Sequence, residues 1–195
     1  NSIKKGFYDV ISSLNGVEVI PLDTVEDFYN YLREQIANAE DSINDLTWGV
    51  VATVGTEKEK KAFQRYMNSI TATCQKNKTL KYREIMTFPN PYRINRAEKF
   101  ISSNYTSYSL RYYNVPHDQT PPLLQFTIID SKEVIFGAHR GKFLGVDQQP
   151  FFSIKHPIIS KYFIDYFNYI WLGATIIKDL GQINHDILDN IRKQI

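Results

Sequence analysis

Runs that suit a strand take turns with runs that suit a helix along this chain, and that alternation limits the folds open to it more than any other feature. Apolar residues stepping by three and four mark helices, while alternation at every second position marks half-covered strands. Ile3, Phe7, Val10, Ile11 and Leu14 form a first helical stripe, closed by Asn15-Gly16. A short strand at Val17–Ile20 precedes a helix capped by Asp23 or Thr24, with Phe28, Leu32, Ile36, Ala39 and Ile43 as its buried face. Leu46–Val54 reads as a strand, Glu57–Asn77 as a helix with Phe63, Tyr66, Met67, Ile70 and Cys74 inward, and Leu80–Phe88 as a strand. The Pro89-Asn90-Pro91 corner opens a helix carrying Ile94, Ala97, Phe100 and Ile101, and Tyr108, Leu110 and Tyr112 alternate as a strand does.

After a loop from Asn114 to Leu123 come two adjacent strands, Leu123–Asp130 and Glu133–Ala138, joined by Ser131-Lys132 as a tight turn. Pro157 starts a helix expected to run to about Leu180 and stop at Gly181, burying Ile159, Phe163, Tyr166, Ile170 and Ala174. Ile183, Ile187, Ile191 and Ile195 mark a last helix, read either as packing back on the domain or as meeting a partner helix. This order implies an α/β fold: a mixed sheet flanked by helices on both faces. The expectation is one domain over residues 1–195, with a core of about 17–178 and terminal helices at 3–14 and 182–195.

Composition excludes several classes of function. The net charge of +2 is too small for an electrostatic grip on nucleic acid over the whole surface, which leaves only a local patch. A single cysteine, Cys74, excludes an internal disulfide and fits a reducing, cytoplasmic setting. Its helical spacing from Ile70 makes it a core residue. Four scattered histidines offer no metal site, and no cofactor is expected. The apolar stretch near Tyr166–Ile177 is too short and too interrupted to span a membrane. The chain opens at Asn1 with a helical pattern and is expected to come from a longer protein.

The segment Leu123-Leu124-Gln125-Phe126-Thr127-Ile128-Ile129-Asp130-Ser131-Lys132-Glu133-Val134-Ile135-Phe136-Gly137 resembles the signature hairpin of the phospholipase D superfamily. There a strand carries His-x-Lys-x4-Asp, and a turn and a second strand ending in Gly follow. The helix ending Ile36–Ile43 before the Trp48 strand, and the His156-Pro157 helix with Phe167 and Trp171, are similar to other parts of that repeat. The resemblance covers Val17 to Lys178, one repeat.

In the family, as the resemblance implies, the motif His attacks phosphorus, the Lys neutralises the phosphoryl oxygens and a second His protonates the leaving group. Here the nucleophile position is Leu123, the lysine position Gln125 and the carboxylate position Asp130. Leu has no lone pair, Gln carries no charge, and no His or Lys lies between Gln119 and Ser131. The motif is degenerate, and the reading leans to a pseudoenzyme. A rebuilt catalytic site would draw on His139, His117 and Asp130. Against that stand the simpler readings: structural histidines, and an Asp whose carboxylate accepts backbone N–H groups at a turn.

The ligand-binding candidates are Gln125, Thr127, Asp130, His139 and Arg140, the last of which, with Lys142, suits an anionic or phosphate-containing ligand. Arg93, Arg96 and Lys99, three apart on a helix, are the candidate face for nucleic acid. The expected function is a non-catalytic, ligand-binding, regulatory or dimerisation module of a larger protein. The alternatives are a phosphodiesterase or nuclease with a rebuilt site and a nucleic-acid-binding module. The resemblance implies a homodimer in which two motif hairpins meet about a twofold axis.

Overall fold

A computed structural model of the chain describes residues 16–48, 55–114, 124–137 and 151–194. In chain order its elements are β1 (Glu18–Leu22), α1 (Val25–Asn38), β2 (Ser42–Thr47), α2 (Glu57–Lys76), β3 (Lys81–Met86), α3 (Pro91–Ile101) and β4 (Tyr108–Tyr112). They continue with β5 (Gln125–Ile129), β6 (Glu133–Gly137), β7 (Phe151–Lys155), α4 (Pro157–Gly173), β8 (Thr175–Asp179), β9 (Gln182–Ile183) and α5 (His185–Gln194). Among the described residues the strands form one sheet in the order β1-β7-β6-β5-β2-β3-β4-β8-β9. β2, β3 and β4 run parallel, and the remaining pairs are antiparallel. Pro21 is tolerated because β1 is an edge strand, where a missing N–H breaks no ladder.

Helices cover both faces, as the alternation implies. One face packs Phe28, Leu32 and Ile36 of α1, Tyr66, Met67, Ile70 and Cys74 of α2, Ile94, Ala97 and Phe100 of α3, and Leu188 and Ile191 of α5. The other packs Phe167, Ile170 and Trp171 of α4 over Leu46, Phe126, Ile128, Val134 and Ile154. Each fully buried Leu, Ile, Phe or Met among them contributes about 1.5–3 kcal/mol by leaving water. Thr24 and Thr56 begin α1 and α2 with capping boxes through Asp27 and Glu59.

Several boundaries differ from the sequence reading. Ile43 belongs to β2, not to the buried face of the preceding helix. The N–H groups of Glu40, Asp41 and Ser42 are taken by the Asp130 carboxylate, so the helix ends and the chain turns out into β2 four residues before the expected Leu46. α4 ends at Gly173, and Thr175–Asp179 is strand β8 on the free edge of β4. Leu180 and Gly181, expected at a helix end, are hairpin residues with φ of 47° and 81°, leading into β9. Phe151–Lys155, assigned to no element from sequence, is β7. The expected helix at 3–14 lies outside the described residues.

The β5–β6 turn is centred on Asp130 and Ser131, with φ of 50° and 57°, one residue earlier than Ser131-Lys132. Lys132 N–H donates to Ile129 O at 2.9 Å. Two successive positive φ values make this a type I′ turn without glycine, and an L side chain there costs on the order of 1 kcal/mol. Ser131→Gly is expected to raise stability by about 0.5–1 kcal/mol in urea unfolding. A midpoint at or below that of the wild type would contradict this account.

Candidate ligand site at the β5–β6 hairpin

β5 and β6 pair from Gln125↔Gly137 to Ile129↔Glu133. Strand periodicity sends Phe126 and Ile128 toward α4, and Gln125, Thr127 and Ile129 toward the four-helix face. The entry to β5 is fixed by Trp48, whose indole N–H donates to Leu124 O at 2.6 Å. Gln125 lies close over Gly137: a Cβ at Gly137 would stand 3.0 Å from Gln125 Nε2 and 3.1 Å from Phe28 Cζ. A larger residue at the end of β6 would have to push aside the ends of the Gln125 and Phe28 side chains.

Thr127 is buried, and its hydroxyl donates to Asp45 Oδ1 at 3.0 Å. Asp45 also accepts from the hydroxyls of Tyr66 and Tyr82, at 3.3 Å and 3.2 Å. Next to it, Glu84 accepts from Tyr108 at 2.7 Å and from Thr47 at 3.3 Å. Burial, then the neighbouring Glu84 charge, pushes Asp45 up to about 7. Burial and the same carboxylates hold the Tyr66, Tyr82 and Tyr108 hydroxyls well above the usual tyrosine range, so they remain donors. The inward face of the hairpin therefore continues into an internal polar network under α2 and α3.

Asp130 sits at the other end of β5. Its carboxylate accepts the backbone N–H groups of Glu40, Asp41 and Ser42 at 3.0, 2.8 and 2.9 Å. Partial burial pulls its pKa upward, but those three donors outweigh that and hold it below the usual carboxylate range. The reading of Asp130 as an acceptor of backbone N–H groups is right in kind, but the donors lie in the α1–β2 connection and not in its own turn. Gln125 and Asp130 are five strand residues apart, about 16 Å at 3.3 Å per residue. The structure does not bring them together. Leu123, His117, His139, Arg140 and Lys142 lie outside the described residues.

The expected cationic face of α3 requires correction. Arg93 is buried: its Nε–H donates to Thr87 O at 3.2 Å, and its Nη2 donates to Thr47 O and Thr47 Oγ1 at 2.8 and 2.7 Å. Burial lowers it to about 10. Arg96 places its guanidinium over the Phe63 ring at 4.7 Å, with its Nε shut off from solvent. Lys99 alone is exposed. Each three-residue step drifts about 60° around a helix, so the row turns from core to solvent. The network of Asp45, Glu84, Arg93 and Arg96 was missed from sequence. The signal for it was Glu84 sharing a strand face with Tyr82, an alternation usually read as the solvent side.

Among the described residues no group of three His, Cys, Asp or Glu is placed to hold a metal ion, and no helix is long and apolar enough to cross a membrane. The sequence matches no protein-family model and no curated protein. Its fold does match solved structures. An archaeal chromatin protein, TrmBL2, described with a novel mode of DNA binding, is 16% identical with a TM-score of 0.58, over 89% of this chain and 61% of its own. Nuc from Salmonella typhimurium, a phospholipase D family member, is 14% identical with a TM-score of 0.56, over 84% of this chain and 99% of its own. Phosphatidylserine synthase from Haemophilus influenzae Rd KW20 is 14% identical with a TM-score of 0.57, over 99% of this chain and 47% of its own. This chain thus spans about the length of Nuc but only part of the other two. Its mixed sheet, packed on both faces, has the phospholipase D-like fold.

Proposed function

We propose that this chain is a non-catalytic phospholipase D-like domain, a ligand-binding, regulatory or dimerisation module within a larger cytoplasmic protein. The observation that carries this reading is the hairpin itself. Gln125 takes the place of the motif lysine, and the next inward residue, Thr127, spends its hydroxyl on Asp45. The amide can donate to an anion, but it supplies no charge to a phosphoryl group. Asp130, engaged with three backbone N–H groups, is a structural anchor and not a base. The test is hydrolysis of bis(p-nitrophenyl) phosphate and of single-stranded DNA, with no turnover expected. Turnover that disappears in His117→Ala or His139→Ala would establish the rebuilt nuclease instead. Nucleic-acid binding, the other alternative, would have to use a surface other than Arg93 and Arg96.

A dimer is part of this reading, here at a surface other than the facing hairpins that the resemblance implies, and α4 supplies it. Ile158, Tyr162, Tyr169 and Leu172 are 67, 72, 80 and 80% exposed and lie on one side of the helix, at steps of four, seven and three, with the exposed Asp165 between the two pairs. A second copy of the chain covers this stripe in the proposed dimer. Sedimentation equilibrium is expected to show a dimer that Leu172→Glu weakens at least tenfold. A monomeric wild-type chain, or an unaffected variant, would remove this interface.

A further inference from the structure

A polar depression lies at the far end of the strands from Gln125, where β2 and β3 begin on the α4 side of the sheet. Its volume is about 550 Å3, within the range of small-molecule sites, and Asn44, Lys81, Arg83 and Ser131 are among its lining residues. Asn44 and Arg83 are register partners, as are Ser42 and Lys81, so strand periodicity sends Lys81 and Arg83 to the same side of β3.

Arg83 is held in place on several sides. Its Nε–H donates to Asn44 Oδ1 at 2.8 Å, and its guanidinium stands over Phe167 at 5.1 Å and Trp171 at 5.4 Å. A guanidinium has five N–H donors, and this bond uses one. Among the described residues no carboxylate pairs with Arg83 or Lys81. Arg111, over the same Trp171 ring at 4.4 Å, adds like charge instead of relieving it. Burial first, and then Arg111, holds Arg83 below the usual arginine range. An anion beside Arg83 offsets both effects.

We infer that this depression is a binding site for a small phosphate monoester, with the phosphate on Arg83 and Lys81. The Ser42 and Ser131 hydroxyls and two cations offer more donors than the two oxygens of a carboxylate use, which favours a phosphate. Glu40 and Asp41 are also in the lining, and a ligand body bearing hydroxyl or amino donors would suit their carboxylates. Their loop is fixed by the Asp130 carboxylate, so this wall is preformed. The site is separate from the hairpin mouth and stands whether or not the hairpin is catalytic.

The experiment titrates the full chain with inorganic phosphate, adenosine monophosphate and adenosine at constant ionic strength, reading the melting temperature and the arginine Nε–H signals by NMR. Phosphate and the monophosphate are expected to raise the melting temperature and shift the Arg83 signal, whereas adenosine does neither. Tighter binding of the monophosphate than of phosphate identifies an organic ester, and equal binding identifies free phosphate as the ligand. Arg83→Gln is expected to abolish the response. Lys81→Ala, at an exposed side chain, leaves the fold intact and is expected to weaken binding about tenfold. No response beyond that to matched chloride, or an undiminished response in Lys81→Ala, overturns the site.

Discussion

Asp45→Asn will be more stable than the wild-type chain at pH 8 and no more stable than it at pH 4. Asp45 in the folded protein is raised to about 7 from an ordinary value of 3.8, by burial first and then by Glu84. Between those two values the unfolded chain has released the proton and the folded chain still holds it. Stability from this group is therefore fully present below pH 4 and is lost as pH rises through 7, at up to ~1.4 kcal/mol per pH unit. Asparagine has nearly the same shape and never ionises. It can still accept from Thr127, and its amide can donate to the Tyr66 and Tyr82 oxygens, since a hydroxyl both donates and accepts. The difference between variant and wild type should grow from about zero at pH 4 to roughly 2 kcal/mol or more at pH 8. Asp130 gives the opposite sign at lower pH: its depressed value adds stability that disappears as pH falls through the acid range. Urea unfolding from pH 3.5 to 8.5 separates the two. A pH-independent difference, or a variant less stable at pH 8, would mean that Arg93 and Arg96 already compensate the Asp45 charge.

What could be read from the sequence depended on how local the cause was. The β5–β6 hairpin was legible because alternation and turn chemistry act over a few residues. The buried faces of α1, α2 and α3 were legible because three-and-four stepping is geometry along one element. The segment Thr175–Asp179 was not. Thr-Ile-Ile after Tyr-Ile-Trp-Leu continues an apolar run in either period, and only the unpaired edge of β4 selects a strand. Lys178 shows the same limit, since its ammonium donates to Phe100 O and to Ser103 in the segment that ends α3, 75 residues or more away. At the candidate site, Gln125 and the missing lysine were visible in the motif. The role of Asp130 in holding residues 40–42 was not, because those partners are 88 to 90 positions distant.

The second large effect is at Arg93, where Arg93→Met is expected to cost about 3–5 kcal/mol, enough to lower the urea midpoint severely or unfold the chain. The side chain is 5% exposed and joins the first turn of α3 to the ends of β2 and β3 through Thr47 and Thr87. Methionine fills a similar volume but leaves the Thr47 and Thr87 carbonyls without the donors that satisfy them, at about 1–3 kcal/mol for each buried group stranded. It also removes one of the two cations, Arg93 and Arg96, near the buried Asp45 and Glu84 carboxylates, so the remaining negative charge is less compensated. Arg93→Lys keeps the charge but not the planar fork that reaches both strand ends, and should fall between methionine and wild type. At pH 8, where Asp45 is ionised, combining Arg93→Met with Asp45→Asn removes one charge of each sign. If the charge is what matters, the double variant is more stable than the sum of the two single effects predicts. If only the stranded carbonyls matter, the two effects add, and the account of Asp45 and Arg93 as one balanced network is wrong.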